Sequence, residues 1–386
     1  LLARAPDKAL ETAELILKGD AGNVEAMLIK GAVYVGKREN DRAEQYLDGL
    51  IQQGISHFDV YRLLAAVRMA KQDRPGAESA LQLGIRANPK SPELYVSLAE
   101  FYVMDRRFPD ALTAMQKVVE LDPKNSRYRL ILANLLWNVG DDRKATDTVN
   151  AMIAVDPKND DRRTQAAGFY LSKNRVPEAE ALLKEGLKQN EKSFKLRFIL
   201  ADLYINTGRA KEAESMLKEC LGLDRDSSRP EIIQAKNGLA RLALMQKDPA
   251  GAKKYVEEVL KENPKDVDAH FIKGNIHLAG GEGAGAVAEF QTVVNERPNE
   301  IGGYVKLAEA HAVNKQMNLA VDTLLKALKI DPASKEALRA LSRIYVLQKD
   351  FRGAENQIRK ALEKNPDDVD LRADLGDLYV VMKDYR

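Results

Sequence analysis

The stretch that most resembles a reactive site is Gly281-Glu282-Gly283-Ala284-Gly285-Ala286, a G-x-G-x-x-A run. In dinucleotide-binding enzymes such a loop lets backbone N–H groups approach a pyrophosphate at the start of a helix. His270, His277 and His311 lie around it and raise the question of a metal, but no Cys/Asp/Glu set at zinc spacing accompanies them. His57 stands apart, with no partner in sequence. Cys220 is the only cysteine, so no intramolecular disulfide framework exists. No G-x-S-x-G, H-E-x-x-H, phosphate-loop or paired-cysteine motif occurs, which leaves nucleophilic and metal-assisted hydrolysis without a recognisable set of residues. A dinucleotide loop also needs a β-strand before it, so the elements around the glycines decide its meaning.

Those elements follow a beat. Pro89, Pro123 and Pro157 are 34 residues apart, and so are Pro264, Pro298, Pro332 and Pro366, each closing an apolar-periodic segment such as AMQKVVELDP. With this proline numbered 32, position 20 is alanine in eleven units of eleven, from Ala9 and Ala43 to Ala320 and Ala354. Position 8 is always small (Gly31, Ala65, Ala99, Ala133 and onward), position 7 is mostly leucine, and position 11 is often tyrosine, as at Tyr34, Tyr102 and Tyr204. Small residues at fixed places on two helices let their backbones approach closely. Each unit therefore reads as a helix A over about positions 2–14, a turn, and a helix B over about 17–30. All 14 prolines obey this map: those not at position 32 open a helix, where the missing N–H costs nothing.

Small-8, Tyr-11, Ala-20 and Pro-32 at this period resemble the tetratricopeptide repeat (TPR) pattern, and the resemblance covers essentially the whole chain. It implies an all-α fold: a right-handed α-solenoid of antiparallel helix pairs, with about ten full units and a half unit at each end. The pentatricopeptide alternative, which reads single-stranded RNA, has a longer period and a basic surface that Lys+Arg 60 against Asp+Glu 58 does not supply. The beat slips once, by five residues between Ala213 and Ala252, across LGLDRDSSRPEIIQ. A longer A helix starting at Pro230, with Ser228 as its cap, is expected there. Two subarrays follow, 1–226 and 227–386.

The resemblance implies a protein-binding scaffold with A helices lining a groove that receives an extended or helical segment of a partner. Positions 5 and 9 face that groove in the family. The family's two-carboxylate clamp for acidic chaperone tails needs Lys and Asn at these positions in consecutive repeats, and no three consecutive units carry them. The expected groove is a mixed one: Asn134, Trp137, Phe198, Asp202, Asn237, Arg241, Phe271, Asn275, Arg339 and Arg343. Trp137 competes with a role in filling the joint between repeats, and the two phenylalanines with inter-repeat packing. His277 and His311 fall in the Tyr-11 slot and read as packing residues; Cys220 at position 27 reads as an inert core thiol. The expectation is of no catalytic residue, cofactor or metal, and of no nucleic-acid partner.

The chain has 386 residues, begins LLARAPDK and cuts through a repeat at both ends, so it reads as a piece of a longer array whose compartment is open. Its style is that of long bacterial TPR proteins. Two further readings follow: a targeting arm of a larger enzyme, and a periplasmic scaffold of an exopolysaccharide or envelope export system. Open terminal repeats also lead to an expectation of self-association. In this frame AGGEGAGA spans positions 13 to 20, the turn between two helices, and four glycines make it the loosest turn of the array.

Overall fold

The computed structural model describes residues 5–382; LLAR and KDYR, with which the two expected subarrays begin and end, lie outside the described residues. Among the described residues there are twenty-two α-helices and no strand. The chain divides into two compact units, Leu1–Asn190 and Glu191–Arg386. The first unit holds α1 (Pro6–Gly19), α2 (Val24–Gly36), α3 (Asn40–Gln52), α4 (Phe58–Ala70), α5 (Arg74–Ala87), α6 (Pro92–Met104), α7 (Phe108–Leu121), α8 (Ser126–Asn138), α9 (Asp142–Ala154), α10 (Asp160–Ser172) and α11 (Val176–Gln189). The second holds α12 (Phe194–Asn206), α13 (Ala210–Leu223), α14 (Pro230–Met245), α15 (Pro249–Glu262), α16 (Val267–Ala279), α17 (Gly283–Glu296), α18 (Ile301–Val313), α19 (Met317–Ile330), α20 (Lys335–Leu347), α21 (Phe351–Lys364) and α22 (Val369–Met382). Even-numbered helices are A helices and odd-numbered ones B helices. Each unit is thus a solenoid of antiparallel helix pairs, with α1 a lone B helix and α22 a lone A helix.

The period places the helices to within a residue. A helices run over positions 1–13, one residue earlier than expected, because position 34 is their N-cap. Asn23, Asn159, Ser193, Asp266 and Ser334 each accept a hydrogen bond from the backbone N–H three residues on. The A helix stops because position 15 is left-handed in all ten A-to-B turns, with φ between 56° and 84°. The N–H at position 16 then donates to the carbonyl at position 11 over 2.7–3.0 Å, the six-to-one bond of a Schellman turn. Three of the ten residues at position 15 are glycine (Gly140, Gly208, Gly281); the others include Arg38, Gln72 and Lys315.

Packing explains the small positions. All ten position-20 alanines from Ala43 to Ala354 are 0% exposed. Position 8 faces position 24 of its own B helix, where Leu47, Met115, Leu183 and Phe290 are buried. Phe290, the bulkiest of these, meets Gly274, whose missing Cβ would stand 2.6 Å from the Phe290 ring. Within each unit, A helices also pack on the preceding B helix, as α4 does on α3 and α14 on α13, and some pack more lightly on a neighbouring A helix, as α2 does on α4 and α18 on α20.

The slip in register appears as a longer helix: α14 has 16 residues where α12, α16, α18 and α20 have 13. It starts at Pro230 as expected. Ser228 is not its cap, because its hydroxyl donates to Asp226 Oδ1 at 2.6 Å, and Arg229 occupies the cap position with its guanidinium on Asp224 and Glu231 and no side-chain cap bond. The glycine-rich turn is as tightly built as its equivalents. Gly281 carries φ +72°, and a Cβ on Gly283 would stand 2.6 Å from the Asn314 backbone nitrogen. A helix, α16, precedes the run, so the G-x-G-x-x-A match is a turn between two helices.

Candidate functional site

Position 9 follows the buried position 8 by one residue, so it turns toward the open side of each A helix. In the second unit it reads Asp202, Arg241, Asn275, Glu309, Arg343 and Asp377, all exposed or half-exposed. In the first unit the same row is Ala32, Ala66, Glu100, Asn134 and Gly168. One array therefore carries two grooves of different chemistry, one of alternating charge and one nearly neutral.

Apolar cavities open between successive A helices along these rows. In the first unit one of about 470 Å³ lies between α4 and α6, with Leu63, Met69 and Met104 in its walls and Arg62 and Glu100 at its rim. In the second unit one of about 430 Å³ lies between α18 and α20, and another of about 370 Å³ between α20 and α22. Arg343 and Leu347 line both and form the ridge between them. Arg343 is exposed and makes no ion pair among the described residues, whereas Arg339, one turn earlier, is held by Asp374 in a two-pronged bond with one arm of 2.8 Å.

The other expected site residues divide by burial. Asn134 and Asn275 are half-buried and fold back onto their own helices, each Nδ2 donating to the carbonyl four residues earlier, at 2.9 and 3.0 Å. Trp137 meets Phe169 edge-on at 5.7 Å and lies under the Arg175 guanidinium, so much of its ring fills the joint between repeats. Phe198 stacks beside Phe194 at 6.4 Å, and Phe271 meets Phe290 edge-on at 5.6 Å; both are half-buried. Asn237 is turned inward: it is 2% exposed, and its Nδ2 donates to Asp266 Oδ1 at 2.8 Å, bracing the cap of α16. Asp202 is open at its edge, yet loss of solvent around the carboxyl raises its pKa above the ordinary value, with Arg241 pulling the other way.

Three features escaped sequence reasoning. The first is the apolar wall at position 13, where Met104 (63%), Met245 (64%) and Leu347 (61%) stand exposed; tabulating that position would have found it. The second is a tie at position 4: Arg129, Arg163, Arg197, His270, Tyr304 and Arg372 each bond the carbonyl at position 32 of the preceding unit, at 2.8–3.2 Å. The third is a link from Tyr-11 to the preceding B helix, as Tyr102 donates to Glu78 at 2.9 Å and Tyr379 to Glu355 at 2.7 Å.

The residues that could have done chemistry are engaged structurally. His270 bonds Glu289, His277 bonds Glu282 and His311 bonds Gln316, at 2.6, 2.6 and 2.8 Å. Among the described residues no group of three or more His, Cys, Asp or Glu has an arrangement that would hold a metal ion. Cys220 is fully buried, and burial pushes its thiol up to about 11. No described helix is long and apolar enough to cross a membrane.

A tetratricopeptide repeat family model matches residues 68–135, 170–236 and 314–373, together more than half of the chain, and a second tetratricopeptide repeat model matches 234–301. The chain belongs to the tetratricopeptide repeat family. No curated protein matches it in sequence. Among solved structures, yeast Tom70 superposes with a TM-score of 0.51 at 13% identity, covering 98% of this chain and 93% of that one. The Cut9–Hcn1 hetero-tetramer of the APC/C gives 0.48 at 14% identity, covering 98% and 94%. YrrB, described as a TPR protein with an unusual peptide-binding site, gives 0.36 at 19% identity over 50% of this chain and 96% of its own. Tom70 supports the fold, and the TPR fold is in general a protein-interaction scaffold.

Proposed function

We propose that this TPR array is a non-enzymatic scaffold that assembles a protein complex by holding an extended or helical segment of a partner against its A helices. The observation that carries the reading is the row Asp202, Arg241, Asn275, Glu309 and Arg343, exposed or half-exposed, whose Glu309 and Arg343 border the apolar cavities beside α20. Apolar side chains of the segment enter the cavities, and its charges pair with the row. Trp137, Phe198 and Phe271 contribute edges, Arg339 and Asn134 support neighbouring side chains, and Asn237 acts through Asp266. The turn at Ser227 is the joint between the subarrays 1–226 and 227–386. Self-association uses α1 and α22, whose Leu15 (70%), Val380 (59%) and Val381 (56%) are exposed; a monomer at high concentration in sedimentation velocity contradicts that part.

The test begins with peptides selected from a displayed library on the full chain. Affinity of a selected peptide for Arg241→Glu/Arg343→Glu should fall about tenfold or more, because a favourable pair becomes a repulsive one at each site. Helical content should be unchanged. Equal affinity for both proteins would remove the row from the binding site.

A further inference from the structure

The largest of the described cavities is not in the A-helix groove. It lies between α17 and α19, the B helices of successive repeats, has a volume of about 890 Å³ and is floored by Leu307 and His311 of α18. Two polar residues at least nine-tenths buried line it, His311 (8% exposed) and Thr323 (6%). His311 engages Gln316 through Nδ1, and no hydrogen bond among the described residues holds the Thr323 hydroxyl, which solvent in the cavity reaches.

The same chain contains a control. The equivalent space between α9 and α11 is about 420 Å³, and Arg163 fills it, donating to the carbonyls of Pro157 and Leu182. There position 23 is Leu182 and position 26 is Glu185; in the larger cavity they are Thr323 and Lys326. An apolar wall has become a hydroxyl and an acid has become a cation. Lys326 and Lys329 line the rim with no ion pair among the described residues, and Asp322 is the one acidic side chain in the lining. Leu319 (47%) and Leu325 (43%) stand exposed beside them.

We infer that the α17–α19 groove is a second docking surface, which takes an acidic amphipathic helix of a partner protein. α17 and α19 run in the same direction with α18 beneath them and leave the cavity open between them, an arrangement that suits helix-in-groove docking. The apolar face of the partner helix lies on Leu319, Leu325 and the floor. Its carboxylates meet Lys326 and Lys329, and one of them accepts the Thr323 hydroxyl, one turn from Lys326 on α19. Asp322 gives this surface a bias in register, since a carboxylate placed opposite it is repelled.

The test uses fluorescence anisotropy of acetyl-(LEELLEA)2-amide and its charge-inverted counterpart acetyl-(LKKLLKA)2-amide with the full chain. The acidic peptide should bind the unaltered chain. It should lose about tenfold on Lys326→Glu/Lys329→Glu, while the lysine peptide gains by a similar factor. Thr323→Leu, which installs the residue carried by the equivalent groove, should weaken the acidic peptide about threefold or more without loss of helical content. No binding of the acidic peptide, or equal binding across these variants, overturns the inference. So does loss of binding on Arg241→Glu/Arg343→Glu instead, which would put the peptide in the A-helix groove.

Discussion

Gly274 and Phe290 divide one volume between them: the ring occupies the space that a Cβ at position 8 fills in most other repeats. Gly274→Ala should therefore destabilise its repeat by about 1–3 kcal/mol despite alanine's better helix propensity. Phe290→Leu in the same protein should recover most of that loss, and chemical denaturation of the two variants compares them. The left-handed position 15 predicts the opposite sign. Lys315→Gly, at φ 60°, should stabilise by about 0.5–1 kcal/mol, since relief of the strained backbone outweighs the extra freedom of the unfolded chain. A lower thermal midpoint would contradict it. The alanine at position 20 was legible in sequence because the space there admits nothing larger. Position 15 was not, because a Schellman turn imposes its φ on Arg, Gln or Lys as well as on glycine, and only the glycines are visible as a pattern.

Single helices carry the next set of expectations. Burial pushes the Glu289 carboxyl on α17 upward, but Lys273 and His270 on α16 more than offset this and leave it below its ordinary value of 4.5. A depressed carboxylate stabilises the fold fully above that ordinary value and progressively less as pH falls through the folded one. Amide exchange of α16 and α17 should therefore quicken below about pH 4.5, and Glu289→Gln should flatten that dependence. In α13, the buried Cys220 thiol, pushed up to about 11, should resist iodoacetamide at neutral pH until the helix opens; rapid labelling of the folded chain would contradict its place in the core. The start of α14 was readable from Pro230, because a helix that opens on proline loses no hydrogen bond. Its cap was misread, because nothing in the order Asp226-Ser227-Ser228 tells that the Ser228 hydroxyl turns back to Asp226.

The repeat count and the pairing of helices were legible because every unit repeats one packing solution, and errors in one repeat do not propagate to the next. The site was legible only by row. Sequence position identifies which side chains share the open side of the A helices, but Asn237 and Arg241, one turn apart on α14, differ between buried and exposed because the longer helix and Asp266 draw the first inward. The cavity between α17 and α19 was invisible, since it arises from what Arg163 does in the equivalent space and Tyr304 does not. The central claim is that a partner segment lies along the A helices. Its most direct test places a photo-crosslinking residue at Ala312, in the wall of the α18–α20 cavity, with a library-selected peptide bound to the full chain. A crosslink between Ala312 and the peptide, competed by unlabelled peptide, is the predicted result; saturable binding with no crosslink from Ala312 would contradict it.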